Sequence, residues 1–560
     1  MALGILEPKS TSTPPPGTEL LVEDEHSAGG HAGLKHAGKN NDIILVPQPS
    51  DDPNDPLLWP RWKKEASFAF LFFNCIIFAA CPGPMIAPAT VALAQELDVP
   101  VKKIAQLSGY QLLIVGAMGP LVSVLAQKFG KRPQFLFAAF SGLLGTCICI
   151  SSFSHHHSLS KAYTILLAGR MVQGLGTTAF ESLSVAAIGD MFFLHERGLR
   201  TALLVLTLAC LSSFVAIIAG VGFETLGARN LFVMLAPIQG FGTLGAVLFM
   251  PESQFKREEE GRGMVEIAEA QVGGEKETGG FMSESAVGSS SNTPTTPKTA
   301  VQKKRSFVQD LRVTSGSYNG EGVGKLLAEI FVHLLNPAVI WIQLVSAVLV
   351  SFFVGTAYTL AQTFTPPPYR LTVSQNGYFF TGALIGGLLG VAAGPLCDFS
   401  ARTLARRNRG IYEPEFRIPV CVVAVCVFAL GWFLFGWAVD EGGKGGLAPG
   451  TVVKVASFCY GAVGLGTSVA STSGGLYILD AFRPFSTQIF ILQMMIKNFL
   501  FYAFSTFINE FAAERGPGHM CRVFGIVTVC GFSTCVPMYV FGKVNRVWVH
   551  GMWRRYLGGK

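Results

Sequence analysis

Charged residues are scarce in this sequence. Only 14% of its 560 residues are Asp, Glu, Lys or Arg, whereas 50% are hydrophobic. Soluble domains carry about a quarter charged residues, so this depletion excludes an ordinary soluble protein and indicates many membrane-spanning segments. The net charge of +7 does not point to nucleic acid, because no strip of interleaved basic and aromatic residues occurs.

Several catalytic and cofactor motifs are also missing. The sequence contains no GxxxxGK[ST] phosphate-binding loop, no HExxH, no GxSxG and no Cys/His set with zinc spacing. Its 12 cysteines lie almost entirely in apolar runs, which is typical of small buried side chains. The sequence therefore predicts no enzyme activity and no bound metal or cofactor. It also predicts no cleavable signal peptide, because the N-terminus lacks a continuous apolar region.

Apolar runs dominate what is present. Two sets of six runs each approach the ~20 residues that a membrane-spanning helix needs. The runs cover residues 67–92, 107–127, 134–153, 163–188, 202–222, 231–250, 338–361, 377–397, 419–439, 452–478, 487–510 and 521–541. Lys and Arg are in excess in the short loops on one side, which predicts that both termini and the central loop are cytoplasmic.

The polar segments complete the predicted organisation. They contain too few apolar residues to fold alone, which predicts disorder in the N-terminal tail and in most of the central loop. Within that loop, apolar residues from Leu326 to Leu334 recur at helical spacing and predict an amphipathic helix on the inner membrane surface. The predicted units are a disordered tail 1–64, a six-helix half 65–250, a cytoplasmic loop 251–336, a second six-helix half 337–541 and a short basic tail 542–560.

An internal repeat relates the two halves. Residues 174–192 align with residues 464–482, so the fourth and tenth predicted spans correspond. The alignment matches Gly174, Gly176, Thr177 and Asp190 with Gly464, Gly466, Thr467 and Asp480. Two halves with internal repeats are a recurring transporter architecture, in which the solute binds between the halves near mid-membrane.

The fourth predicted span contains two charged residues, Arg170 and Glu181. Their spacing places both on one face of a helix, and an ionisable group in a bilayer must face a wet cavity or a partner. Tyr460 and Ser471 occupy the corresponding positions in the repeat, so the charges are confined to one half. We interpret this helix as lining a pathway through the membrane. The alternative is that both only neutralise buried groups and hold helices together.

Other polar residues suggest a pathway and a gate. Lys497, in the eleventh predicted span, is a second intramembrane charge that either takes part in transport or forms a structural ion pair. Further candidates for the solute or proton pathway are Asn74, Tyr358, Gln362 and Asn498. Asp190 and Asp480 end helices at the predicted cytoplasmic side and suggest a gate of ion pairs. The predicted gate set is Asp190, Arg197, Asp398, Arg402, Arg406 and Asp480.

These stretches carry a family resemblance. GRMVQGLG, at residues 169–176, resembles the RxxQGxG motif of the fourth helix in the major facilitator superfamily, and GPLCDFSARTLARR resembles its loop motif between helices eight and nine. DPLLWPRWKKE, GDMFFLHERGLR, FMPES and KNFLFYAFSTFINEF resemble a fungal group of drug and organic-cation transporters. The resemblance implies an all-α membrane protein of 12 helices in two pseudo-symmetric halves.

The resemblance also implies a function. It implies secondary active transport by alternating access, with a small-molecule solute and protons as partners, in the cell membrane or alternatively the vacuolar membrane. Under this resemblance Glu181 is the leading candidate for a proton carrier, with Arg170 as its modulator. Export of a drug, toxin or secondary metabolite and uptake of an organic cation or other nutrient both remain open, because the fifth span lacks the GPxxGG pattern of proton antiporters and Ser123 replaces the usual Asp of the loop motif. A non-transporting sensor on the same fold is the alternative of another class. We expect no nucleic-acid partner, and the sequence leaves the oligomeric state open, with a monomer as one candidate.

Overall fold

The computed structural model is helical apart from two short ribbons. In one ribbon, β1 (Glu19–Leu20) pairs antiparallel with β4 (Ile411–Tyr412), and in the other β2 (His36–Ala37) pairs with β3 (Ile43–Ile44). The structure describes residues 3–7, 17–20, 36–37, 43–44, 50, 52–154, 158–193, 196, 200–201, 203–204, 207–255, 306–314 and 316–556.

The first half and the central loop contain nine α-helices among the described residues. These are α1 (Arg61–Asn74), α2 (Thr90–Glu96), α3 (Val101–Phe129), α4 (Arg132–Ser152), α5 (Leu159–Ser182), α6 (Ser184–Met191), α7 (Ser212–Phe249), α8 (Phe307–Asp310) and α9 (Val323–Val332). Shorter helical turns flank them at Pro56–Leu58, Cys75–Ala80, Pro84–Ile86, Thr207–Leu211 and His333–Leu335.

The second half continues in the same manner. Its helices are α10 (Pro337–Ile342), α11 (Val348–Phe364), α12 (Val373–Phe379), α13 (Thr381–Gly390), α14 (Ala393–Arg407), α15 (Cys421–Gly443), α16 (Pro449–Ala481), α17 (Ser486–Arg515), α18 (Pro517–Ser533) and α19 (Cys535–Tyr556). Helical turns at Gln343–Ala347, Pro414–Val420 and Arg483–Phe485 connect or extend them.

Nine helical segments within the described ranges are long and apolar enough to cross a membrane. They are Val101–Phe129, Arg132–Ser152, Ser212–Phe249, Pro337–Phe364, Val373–Arg407, Pro414–Gly443, Pro449–Ala481, Ser486–Arg515 and Pro517–Met552. The segment Ser212–Phe249 contains the second part of the fifth predicted span and nearly all of the sixth, with a break at Gly227. The count of 12 spans and the cytoplasmic location of the termini stay predictions.

The first and fourth predicted spans do not form uninterrupted apolar helices. After α1 the chain leaves regular α-helix at Cys75–Ala80 and then bends through Pro82 and Pro84, because proline cannot donate the hydrogen bonds of a helix interior. The fourth span is divided between α5 and α6 at Leu183, and Arg170 and Gln173 lower its hydropathy. Both irregular spans carry residues of the predicted pathway.

The two halves pack against each other along two helix pairs. Helix α3 contacts α17, and α7 contacts α12. At the second contact the backbones approach closely: a Cβ on Gly220 would lie 2.8 Å from the Cα of Gly377. Lys102 forms an ion pair of 2.8 Å with Glu510 at the same predicted outer end, so the halves are in contact there.

Two polar segments also contact the helices. Helix α9, the predicted amphipathic helix, buries Leu326 and Ile330 and contacts α3 and α17, one from each half. In the N-terminal tail, residues 3–7 and 17–20 contact the second half, with Ile5 fully buried. The low apolar content of the tail did not predict these contacts.

Candidate functional site

An ion pair joins the halves at the centre of the predicted pathway. Lys497, in the middle of α17, donates a hydrogen bond from Nζ to Oε1 of Glu181, near the end of α5. The side chains are 28% and 15% exposed, so the pair is partly sheltered from solvent. The expected partner of Glu181 was Arg170, but the structure brings Lys497 to it instead.

Arg170 has a different environment. It is fully buried, and its guanidinium donates to the carbonyl oxygen of Pro82 at 2.6 Å, to Oε1 of Gln173 at 3.0 Å and to Oγ of Ser108 at 3.0 Å. These acceptors are all neutral. Arg170 therefore ties α5 to α3 and to the bend after α1, and the structure gives it no direct contact with Glu181.

The same bend is held from the second half. Tyr358 of α11 is 3% exposed and donates from its hydroxyl to the carbonyl oxygen of Gly83 at 2.8 Å. Consecutive carbonyl groups, those of Pro82 and Gly83, thus accept hydrogen bonds from Arg170 of one half and Tyr358 of the other. The prediction grouped Tyr358 with the pathway, and the structure places it at a contact between the halves.

A neutral polar cluster lies beside the ion pair. Gln493, one helical turn before Lys497, donates from Nε2 to Oγ of Ser346 at 2.7 Å, and Ser346 shares a hydrogen bond of 2.9 Å with Ser471. We call these three residues the amide–hydroxyl cluster. Ser471 corresponds to Glu181 in the repeat, so the two halves present different chemistry at matching positions. Sequence reasoning noted Ser471 only as a replacement and missed Ser346 and Gln493.

The remaining pathway candidates do not join this site. Asn74 is fully buried, and its Nδ2 lies 3.7 Å from Sδ of Met250. Asn498 is also fully buried, next to Lys497, and within the described residues its side-chain amide has no hydrogen-bond partner. Gln362 exchanges hydrogen bonds with Asn509 and lines a separate cavity of about 350 Å³ together with Asp440.

The three aspartates of the predicted gate set belong to ion-pair groups, one group in each half. Asp190 accepts hydrogen bonds from Lys131, at the start of α4, and from Ser253 at 3.2 Å. Asp480 accepts from Nε of Arg417 at 2.6 Å, and the same guanidinium donates to Asp398 at 2.8 Å. Each half therefore places a basic residue near the start of its third span against the aspartate that ends its fourth.

The predicted gate set did not include the arginine that binds Asp480 and Asp398. Arg402 and Arg406 are exposed on α14, whereas Arg417, which follows the loop, binds both carboxylates. The turn Pro414–Val420 packs against α16, and the Arg417 side chain, which is 13% exposed, lies between the two carboxylates. Arg197 lies outside the described residues.

Glu252 of the FMPES stretch is a further residue that sequence reasoning did not single out. Its two carboxylate oxygens accept from the backbone amides of Lys131 and Arg132 at 3.0 and 3.1 Å. A carboxylate at a helix N-terminus satisfies amides that have no partner within the helix. Burial nevertheless raises the pKa of the Glu252 carboxyl above its usual range. Glu252 thus fastens the end of α7 to the start of α4.

Comparisons with known proteins assign the family. The sequence profile of the Major Facilitator Superfamily matches residues 68–537. The chain belongs to the Major Facilitator Superfamily. Superfamily members are transporters, so the chain is a multi-pass membrane transporter, in agreement with the resemblance drawn from its motifs.

Individual relatives are distant but cover most of the chain. An MFS-type transporter of Schizosaccharomyces pombe is 22% identical over 99% of this chain and 96% of its own length. Protein HOL1 of Saccharomyces cerevisiae is 21% identical over 95% of both chains, and efflux pump radE of Floropilus chiversii is 24% identical over 88% and 83%.

A solved structure supports the same fold. The xylose transporter XylE from Escherichia coli, in a partially occluded inward-open conformation, superposes with a TM-score of 0.55 at 13% identity and covers 84% of this chain and 96% of XylE. At this identity the likeness supports the fold and says nothing about the solute.

Proposed function

We propose that this transporter works by alternating access, couples solute movement to protons through Glu181 and exports a drug, toxin or secondary metabolite. The observation that carries the proposal is the Glu181–Lys497 pair, because it joins the two halves that must move relative to each other. The family assignment supports transport, and relatives named efflux pumps support export.

Coupling follows from the charge balance of the pair. An ion pair out of bulk water is held by mutual attraction, and removing one charge leaves the other uncompensated. A proton on Glu181 cancels the carboxylate charge and releases Lys497. The halves then separate at this point without breaking an ion pair, and loss of the proton restores the attraction. Protonation of Glu181 is thereby linked to the arrangement of the halves.

The amide–hydroxyl cluster supplies the second part of the proposed solute site. When Gln493 donates to Ser346 and Ser346 donates to Ser471, the hydroxyl hydrogen of Ser471 and the carbonyl oxygen of Gln493 remain available for a solute. An amphipathic solute with an amine would bind Glu181 in place of Lys497 and place its hydroxyl or carbonyl groups on this cluster. We expect Gln493→Leu to weaken transport of hydroxyl-bearing solutes more than that of purely lipophilic cations.

Proton and solute flux in vesicles tests the proposal. Purified protein is reconstituted with a pH-sensitive dye, and a panel of lipophilic cations, amines and neutral toxins is compared for wild type and Glu181→Gln. Glu441→Gln is the matched control, since Glu441 pairs with Lys444 at the C-terminal end of α15. Proton-linked flux that disappears only in Glu181→Gln supports the proposal, whereas equal flux in all three proteins removes Glu181 from coupling.

Uptake is the second candidate, and one observation favours it. The fifth predicted span, residues 202–222, lacks the GPxxGG pattern that the family's proton antiporters carry. The Glu181–Lys497 site would serve symport equally well. The sign of the coupling separates the two: solute and proton moving in opposite directions supports export, and movement in the same direction supports uptake.

A further inference from the structure

A cavity of about 350 Å³ lies at the predicted outer end of the second half. Its walls come from the last turns of α11, α15 and α17, from the loop after α11 and from the start of α18. All of these elements belong to the second half, so the cavity is separate from the Glu181–Lys497 site between the halves. Its volume is typical of a site for a small ligand, since such sites measure about 300–1,000 Å³.

Asp440 of α15 gives this cavity a negative charge. Among the described residues that line the cavity, Asp440 alone is charged. Its carboxylate accepts a hydrogen bond from Arg522 of α18, and the two side chains are 34% and 45% exposed. An ion pair as exposed as this one contributes little to stability. Another cation can therefore replace Arg522 at small cost.

A pair of amides lies beside the carboxylate. Gln362 of α11 lines the cavity and donates to the backbone oxygen of Asn509 at 3.1 Å, while Nδ2 of Asn509 donates to Oε1 of Gln362 at 2.8 Å. Asn509 is 2% exposed, and it lies one helical turn before Ala512 and Ala513, which line the cavity. Within the described part of the chain its Oδ1 has no hydrogen-bond partner. A buried acceptor without a donor is unfavourable, so this oxygen favours a ligand that donates.

The side-chain donors that line the cavity are already occupied. Besides Gln362, the hydroxyl of Thr363 donates to the carbonyl oxygen of Thr359 at 2.9 Å, and that of Tyr369 donates to the carbonyl oxygen of Val439 at 3.5 Å. The other walls, such as Val439 and Pro517, are apolar. The cavity thus combines acceptors and a negative charge with apolar and aromatic surface.

We propose that this cavity is a second binding site, which takes a small organic amine in its protonated form. The ammonium group binds Asp440 in place of Arg522 and donates toward the amide pair of Gln362 and Asn509. The apolar body of the amine packs against Tyr369 and the small residues of α17. A neutral ligand of the same shape gains no charge pairing here, so it binds more weakly. The site depends neither on Glu181 nor on the direction of transport.

Equilibrium dialysis of tritiated phenethylamine against the purified full chain in detergent, at neutral pH, tests the proposal. Phenethylamine has a single ammonium group on an apolar body, and 2-phenylethanol is the uncharged competitor of nearly the same size. We expect saturable binding to wild type that 2-phenylethanol competes for at least tenfold more weakly than unlabelled phenethylamine. The same binding should persist in Glu181→Gln, which separates this site from the central one.

Four further variants locate the bound amine. Asp440→Asn removes the charge, and Ala513→Leu fills the cavity from an exposed position of α17, so we expect each to weaken binding at least about tenfold. Arg522→Gln removes the competing cation and should bind at least as tightly as wild type. Glu441→Gln, which removes the neighbouring carboxylate outside the cavity, should equal wild type.

The variant of Arg522 distinguishes a binding site from a structural ion pair, because loss of a structural pair would weaken binding equally from either side. Equal weakening in Arg522→Gln and Asp440→Asn would overturn the proposal. It would also be overturned by absence of saturable binding to wild type, by equal competition from 2-phenylethanol, or by binding that Glu181→Gln abolishes and Asp440→Asn retains.

Discussion

Glu181 and Lys497 lie 316 positions apart in the chain and form an ion pair between the two halves of the molecule. Ser471 occupies the position that corresponds to Glu181 in the repeat, so Glu181 has no charged counterpart in the second half. The pair is therefore a point of asymmetry in a pseudo-symmetric fold. A purely structural clamp would need only opposite charges, whereas proton coupling needs the carboxylate at a position that gains and loses access to solvent.

This difference predicts the outcome of exchanging the charges. In the double variant Glu181→Lys/Lys497→Glu the ion pair can re-form, but the carboxylate moves to α17. We expect each single substitution to lower the melting temperature in detergent and the double variant to recover most of the loss. Proton-coupled flux should stay at least tenfold below wild type in all three. Recovery of coupled flux in the double variant would show that the pair acts only as a clamp.

Arg170 allows a second prediction, about geometry rather than charge. Its guanidinium reaches three neutral acceptors on different segments, and a lysine ammonium cannot reproduce this planar arrangement. We expect Arg170→Lys to destabilise the protein by about 1–3 kcal/mol, because buried acceptors lose their donors. The melting temperature in detergent measures this loss. Arg229→Lys, at an exposed position of α7, is the control and should melt like wild type; equal melting of both variants would contradict the prediction.

Much of the architecture was predictable because it depends on amino-acid composition and on the length and spacing of the apolar runs. The apolar runs predicted the helices. Arg170, Glu181 and Lys497 were selected as candidates because they are charged residues within those runs. Their partners were not predictable, since helical spacing relates residues on one helix only. Spacing put Arg170 and Glu181 on one face, yet the contact that formed, Glu181 with Lys497, depends on how two distant halves pack.

The partners of the gate residues could not be predicted from the sequence either. Asp480 was found because it ends a predicted span and Asp398 because it lies in the motif GPLCDFSARTLARR, but Arg417 was not selected among several nearby arginines, since its contacts depend on the fold of the turn Pro414–Val420. The N-terminal contacts are a further case. A low content of apolar residues predicts a disordered tail. The spacing of these few apolar residues does not indicate that Ile5 packs against α14.

The gate group of the second half yields a third prediction. Arg417 binds two carboxylates, but the Asp480 side chain is 13% exposed and that of Asp398 is 56% exposed. Breaking a sheltered ion pair leaves an uncompensated charge, whereas an exposed pair contributes little. We expect Asp480→Asn to cost about 2 kcal/mol and Asp398→Asn less than about 1 kcal/mol. Melting temperatures compare them, and the reverse order would show that Arg417 depends mainly on Asp398.

His333 leads to the fourth prediction, which concerns pH. The side chain is 2% exposed in the turn before α10, and burial lowers its pKa from 6.5 to about 4. The unfolded chain therefore binds more protons than the folded protein between these values. Stability contributed by neutral His333 is fully present above about pH 6.5 and is lost as the pH falls toward 4, by on the order of 3 kcal/mol.

Substitution by phenylalanine isolates this contribution. His333 lies 5.2 Å from the ring of Phe485, measured between ring centroids, so a phenyl ring suits the site. Glu252 titrates with the opposite sign, because its raised pKa gives stability that is lost as the pH rises. The quantity to compare is thus the difference between wild type and His333→Phe from pH 4 to 7. We expect wild type to lose stability more steeply on acidification, while His519→Phe, at an exposed position, follows wild type. Identical pH profiles for wild type and His333→Phe would show that His333 is not held neutral by the fold.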